Sequence, residues 1–295
     1  MKRIIDLEFI TPLFSHGATD QPEIRPASIR GQLHAWFRIL GGDIEAERRV
    51  FGGIRQGRAN PQTMPSQGKT LASRVVVRVS DVDGRGTDIP TLPHKQGGNA
   101  SPRKAFDVGA KCRITIMDRL GGLSQDDETL LNRAINAWLL MGTLGYRATR
   151  AAGSFVWHDE SFPMPTKPLA YEDACRDLLD ESKAKAKVAV LSKEYDYDSS
   201  EIARRDVSDS LGGRDDRTGQ EDLSRIHDPL GRVFGGRKTS PLKYRIVRIG
   251  GKFRILAFWD GRSEVTGNTD RDLYAVVDLL AQRKPRIGEQ LKAKF

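Results

Sequence analysis

Apolar residues in the first 160 positions of the chain fall into short periodic stretches. Arg3 to Phe9 alternates, with Ile5, Leu7 and Phe9 on one face, and predicts a half-buried strand closed by Thr11-Pro12. Helical spacing follows. Ile29, Leu33, Trp36, Phe37 and Leu40 recur on one side, Arg25-Pro26 stands just upstream, Ser28 offers a cap, and Gly41-Gly42 stops the helix. Two more strands are predicted at Arg74 to Ser80, where Val75, Val77 and Val79 share a face, and at Lys111 to Met117, where Cys112, Ile114 and Ile116 do. Ser124 followed by Asp127 is an N-cap pattern for a helix that carries Leu130, Ala134, Trp138 and Met141 and ends at Gly142. A short apolar run, Ser154 to Trp157, reads as a closing strand. Strand, helix, strand, strand, helix, strand is the order of the ferredoxin-like, RRM-like split βαβ arrangement, so an α+β domain is expected over residues 1–160.

Between the second and third strands lies an oversized connection, Asp81 to Gly109, with Pro90, Pro93, Gly97-Gly98, Pro102 and the basic pair Arg103-Lys104. Loops of that length inside a domain are usually functional or disordered, and a projecting arm over 81–109 is expected. In the second half, Leu169 to Leu191 reads as a helix with Tyr171, Cys175 and Leu178-Leu179 on one side. Residues 192–224 are dense in charge, Gly and Ser, and read as mobile until a partner is met. Tyr244 to Ile249 and Phe253 to Trp259, joined by Gly250-Gly251, predict a hairpin, and Asp270 to Gln282 a last helix. This partial echo suggests a second, degenerate ferredoxin-like domain over 161–295.

Charge changes the picture. The chain holds 48 Lys+Arg against 39 Asp+Glu, a formal net charge of +9 with a pI near 9.6. Such an excess favours a polyanionic partner, because each phosphate met by Lys or Arg releases condensed counterions. No apolar run approaches the roughly 18 to 20 residues of a spanning helix, and the start turns acidic at Asp6 before a signal-peptide apolar region forms, so a cytoplasmic location is expected. Cys112 and Cys175 are far apart, and His94, His158 and His227 are isolated, so neither a disulfide, a metal site nor a cofactor is expected.

Two constellations bear on function. Arg30, His34 and Arg38, spaced i, i+4, i+8, stack on one helix face as a basic stripe; taken alone, a solvated polar face explains them better. The segment Gly142 to Ser154, GTLGYRATRAAGS, is the stronger signal. Its glycines Gly142, Gly145 and Gly153 let backbone approach a ligand and turn N–H groups outward, and Arg147 and Arg150 supply forks for phosphate oxygens. A plain helix-to-strand turn is the alternative, but such a turn needs fewer glycines and no arginines. At Gly231 to Pro241, Arg237 and Lys238 beside Gly235-Gly236 repeat the pairing, with a loop reading and a phosphate reading about level. Neither segment is a P-loop.

At this point the residues resemble a family. Thr11-Pro12-Leu13-Phe14, then Arg25-Pro26-Ala27-Ser28-Ile29-Arg30-Gly31-Gln32-Leu33, Trp36-Phe37-Arg38 and Glu47 with Phe51-Gly52-Gly53, resemble the opening signature of RAMP-superfamily CRISPR subunits, and among them the first-numbered Cmr subunit of type III-B complexes. The glycine segment and Thr239-Ser240-Pro241-Leu242 are similar to later parts of that pattern. The resemblance implies two ferredoxin-like domains without catalytic role, held near the 3′ end of the guide RNA among other RAMP subunits, aiding capture of target RNA in antiviral defence. The RNA-binding residues it carries over are Arg25, Ser28, Arg30, Gly31, Arg38, Gly142, Gly145, Arg147, Arg150 and Gly153; His34 stands where the family often has a second arginine.

Lys111 to Ile116 lacks the stacking aromatics of RNA-recognition domains, so binding through backbone charge and shape is expected, with little sequence preference. The alternatives are a metal-independent endoribonuclease using His16, in Ser15-His16-Gly17, together with His34; a target-cutting subunit using Asp81, Asp83, Asp88 or Asp107 of the arm; and a basic scaffold that contacts only proteins.

Overall fold

The structure, a computed structural model, describes residues 1–54, 70–93, 101–119, 122–181, 187–190, 196–212 and 240–260. Its first half is built on strands β1 (Lys2–Phe9), β4 (Val75–Asp83), β7 (Lys111–Asp118) and β8 (Phe155–His158), in the sheet order β4-β7-β1-β8 with every neighbour antiparallel. Helix α1 (Pro26–Ile39) and the short α2 (Ile44–Phe51) connect β1 to β4, and α3 (Gln125–Met141) connects β7 to β8. Each helical connection therefore skips one strand, the split βαβ pattern anticipated from the order of elements.

Alternation fixes which face is covered. Ile5, Leu7 and Phe9 of β1 and Cys112, Ile114 and Ile116 of β7 are buried beneath Leu33, Trp36 and Phe37 of α1 and Leu131, Ile135 and Trp138 of α3. The Ser124 side chain caps α3 by accepting from the Asp127 N–H at 3.2 Å. Ser28 does not cap α1. The helix starts two residues earlier, with Arg25 at the cap position and Pro26 in the first turn, where a missing N–H costs nothing. Helix α2 went unanticipated although Asp43 caps it, accepting from the Ala46 N–H at 2.7 Å.

The arm is a hairpin at its base. Strands β5 (Gly86–Pro90) and β6 (Pro102–Phe106) pair as a hairpin, and Leu13 and Phe106 exchange two backbone hydrogen bonds of 3.0 Å, which tie the hairpin to the segment after β1. Two minor strands, β2 (Gly53–Ile54) and β3 (Thr70–Leu71), pair with each other.

In the second half the predicted helix at 169–191 ends earlier: α4 is Pro168–Glu181, and β9 (Lys187–Val190) follows. Val188 and Val190 favour strand over helix. Strands β10 (Lys243–Ile249) and β11 (Lys252–Trp259) form the predicted hairpin, Gly250 and Gly251 taking φ of 59° and 78° at the turn, and β9 adds to β11 to complete the sheet β10-β11-β9. The expectation of a mobile 192–224 fails for α5 (Ser200–Gly212), whose Ala203 and Val207, one turn apart, are buried with Tyr197, Tyr244 and Trp259. Residues 192–195 and 213–224, with the helix expected at 270–282, lie outside the described residues.

Candidate nucleic-acid interface

The basic stripe of α1 is engaged within the protein. Arg30 donates to the Phe51 carbonyl at the end of α2. His34 Nδ1 donates to Glu47 Oε1 at 2.6 Å, and Arg38 donates to the same carboxylate through Nε at 2.8 Å. Phe51 also packs on the His34 ring, centroids 3.9 Å apart. Burial of Glu47 raises the pKa of its carboxyl, but the hydrogen bonds from Arg38 and His34 outweigh that and hold it below the ordinary glutamate value. The stripe is a clamp between two helices, with Arg38 still half exposed. Ser28 is half-buried and Gly31 exposed on the same helix.

The glycine segment packs inward. Tyr146 N–H donates to the Phe14 carbonyl and Gly153 N–H to the Pro12 carbonyl, both at 2.9 Å; Thr11 Oγ1 donates to the Ala151 carbonyl and accepts from the Ser154 N–H. Gly145 (φ 79°) and Gly153 (φ 68°) adopt left-handed conformations, and a Cβ at either would run into the Phe14 or the Leu144 carbonyl. Gly145 thus serves close approach of the loop to the segment after β1, and Gly153 close approach of the loop's own two ends, in place of the outward N–H groups expected. Gly142 caps α3 against Trp138.

The two loop arginines diverge. Arg147, itself left-handed at φ 72°, is exposed. Arg150 turns inward, donating through Nη1 to the Ser208 carbonyl of α5 at 2.8 Å, and burial followed by repulsion from Arg147 lowers its pKa to about 10. Arg204 of α5 lies beside them, over the Phe14 ring and against the Pro90 and Thr91 carbonyls of the hairpin; burial, with Arg147 and Arg150 nearby, lowers it to about 10 as well.

Three segments distant in sequence therefore meet. Arg25 donates to the His16 carbonyl at 3.4 Å. His16 Nε2 meets the Lys104 carbonyl at 2.6 Å, so that nitrogen carries the proton, and its ring lies 5.7 Å from that of Tyr146. Lys104 pairs with Asp88 at 2.8 Å. Arg103 and Arg147 both act on the Tyr146 hydroxyl, yet burial, the larger effect, leaves its pKa raised. The exposed cations of this surface are Arg25, Arg103 and Arg147. Arg103 was noticed in the sequence only as part of the arm, and Tyr146 not at all; an exposed aromatic flanked by glycine and arginine was the available signal. Arg237 and Lys238 lie outside the described residues.

Other candidates are dispersed. His34 belongs to the Glu47 clamp and His16 to the hairpin. Asp81 faces Arg113 at 3.6 Å, Asp83 stands opposite Lys111 in the β4–β7 ladder, Asp88 holds Lys104, and Asp107 accepts from the Val108 N–H. Cys112 and Cys175 are buried, which raises each thiol to about 12. No helix among the described residues is long and apolar enough to cross a membrane.

The profile of the RAMP superfamily matches residues 6–156, and the chain belongs to that superfamily. Among its relatives it is similar to the CRISPR system Cmr subunit Cmr1-2 of Pyrococcus furiosus, at 31% identity over 179 residues covering 51% of this chain and 92% of the relative. The crystal structure of Cmr1 from Pyrococcus furiosus in its apo form has a similar fold, with a TM-score of 0.56 and 18% identity over 88% of this chain and 87% of that one.

Proposed function

We propose that this chain is a non-catalytic RNA-binding subunit of a type III CRISPR ribonucleoprotein, one that holds the guide or target RNA backbone near the guide 3′ end and aids capture of target RNA in antiviral defence. Membership of the RAMP superfamily and the similarity to Cmr1-2 support the complex. On this reading its partners are RNA and neighbouring RAMP subunits, and its two halves are a ferredoxin-like domain, 1–160, and a degenerate copy, 161–295.

The observation that carries the RNA reading is the convergence of Arg25, Arg103 and Arg147 from three segments onto one surface, backed by Arg150 and Arg204. Beyond the effect of burial, Arg147 lies close enough to Arg150 and Arg204 to lower the pKa of both; such a cluster concentrates positive potential, and a phosphate backbone lowers that electrostatic cost. The contacts are to charge, so affinity is expected to vary little with sequence.

Charge reversal tests the reading. Arg103→Glu with Arg147→Glu is expected to weaken binding to unrelated RNA sequences alike and to reduce the salt slope by about two, since each lost phosphate contact removes about one. An unchanged slope would remove this surface as the interface. Arg150 is unsuited to the test, because a carboxylate there would face the Ser208 carbonyl in a buried site.

A further inference from the structure

Tyr146 is the one member of the cluster that phosphate chemistry does not explain. It is 39% exposed, in a loop where Leu144, Ala151 and Ala152 are fully buried. Nothing in the close packing of the glycines requires an aromatic side chain there, because the loop is held by backbone bonds to Pro12 and Phe14 and by the Thr11 hydroxyl. The ring is nonetheless fixed from beneath: the buried Phe14 ring lies 5.5 Å away at 38°, and the His16 ring 5.7 Å away at 42°. His16 is in turn held by the Lys104 carbonyl. An aromatic side chain with two torsions, set on a rigid base, loses little entropy when something stacks on it.

Its neighbours are cations. Arg147 is the next residue, and Arg103 approaches from the hairpin. A solvent-facing ring whose hydroxyl feels the charge of two nearby guanidinium groups matches what an unpaired nucleotide offers, a π-face close to phosphates. A duplex offers only phosphate and sugar at its surface, its bases being stacked inside. On the outer face of the main sheet β7 provides no substitute platform, since Lys111, Arg113 and Thr115 stand there.

We propose that this surface takes single-stranded nucleic acid, with one base stacked on Tyr146 and the adjoining phosphates held by Arg103 and Arg147. The proposal rests on the RNA reading above and deepens it: the ligand is an unpaired strand, and the stacking is indifferent to base identity.

The experiment measures binding of the full chain, by fluorescence anisotropy over a salt series, to three labelled probes. These are a mixed-sequence single-stranded RNA, that RNA annealed to its complement, and the same strand carrying abasic residues. Tyr146→Leu, which keeps an apolar contact on Phe14, is expected to weaken single-strand binding about tenfold, the effect of losing one base–aromatic stack. It should leave the duplex, the abasic strand and the salt slope unchanged, and Tyr146→Phe should bind as the wild type does. Wild-type affinity in Tyr146→Leu, or an equal loss on duplex and single strand, would overturn the proposal. Arg103→Glu with Arg147→Glu separates the two claims. If it weakens all three probes while Tyr146→Leu weakens none, the phosphate surface stands without the stack; if it weakens none, the RNA reading itself fails.

Discussion

A buried guanidinium needs acceptors for most of its N–H groups, because removing such a charge from water costs several kcal/mol. Arg245 of β10, fully buried, donates through Nη1 to the Trp138 and Gly142 carbonyls at 3.3 and 2.5 Å and through Nη2 to the Phe155 carbonyl at 2.5 Å. Its charge also sits over the Phe155 ring at 4.3 Å. One residue of the second half thus satisfies the end of α3 and the start of β8. Arg245→Ala should destabilise the protein by about 3 kcal/mol or more, since it leaves a cavity and unmet buried acceptors together. A denaturant midpoint close to that of the wild type would contradict this. In the sequence Arg245 is simply an alternate position of a strand, and nothing there separates it from Arg248, which is exposed enough to pair with Glu8 at the rim. The same holds for Arg147 and Arg150. Both were read as phosphate forks, and only the unanticipated α5 explains why one of them turns inward.

Among the elements, α2 shows what short-range pattern reading misses. Eight residues are too few for periodicity to declare, yet the helix is held on both sides, by Arg30, His34 and Arg38 of α1 and through the bidentate Arg49–Asp127 pair with α3. Hydrogen bonds from Arg49 outweigh burial and keep the Asp127 carboxyl below its ordinary value, as the α1 cations do for Glu47. The sign of the pH effect follows. A carboxyl whose folded pKa lies below its unfolded one adds stability above the unfolded value and loses it as the pH falls through the folded value. Thermal melting should therefore fall as the pH drops below 4.5 and 3.8, the ordinary values of Glu47 and Asp127. In Glu47→Gln this acid dependence should flatten; a variant that keeps the wild-type slope would show that the clamp contributes nothing. The alternating strands and the two long amphipathic helices were legible because each buries one face over two or more turns or pleats. The breaks at β9 and α5 were not, since their partners, β11 and β10, lie more than 30 residues further along the chain.

At the scale of the molecule, the order of elements in the first half was enough to give the sheet order, whereas the relation between halves was out of reach. Trp36 of α1 meets Phe258 of β11 at 5.3 Å between ring centroids, and one core cluster runs from Ile5 to Phe258. Ile246 N–H donates to Ser154 Oγ at 2.9 Å, joining β10 to the end of the glycine loop. The loop is therefore braced from both sides, by the segment after β1 and by the second half, and this bracing presents Arg147 and Tyr146 beside the hairpin at fixed positions. Rigid presentation of charge suits a subunit that grips a strand. The most direct test of that role incubates the full chain with a guide RNA and a labelled target, with and without divalent metal, and follows binding and strand length together. The account predicts salt-sensitive binding with the labelled strand intact. Cleavage that disappears in His16→Ala, or on substituting Asp81, Asp83, Asp88 or Asp107, would contradict it and make the chain a nuclease.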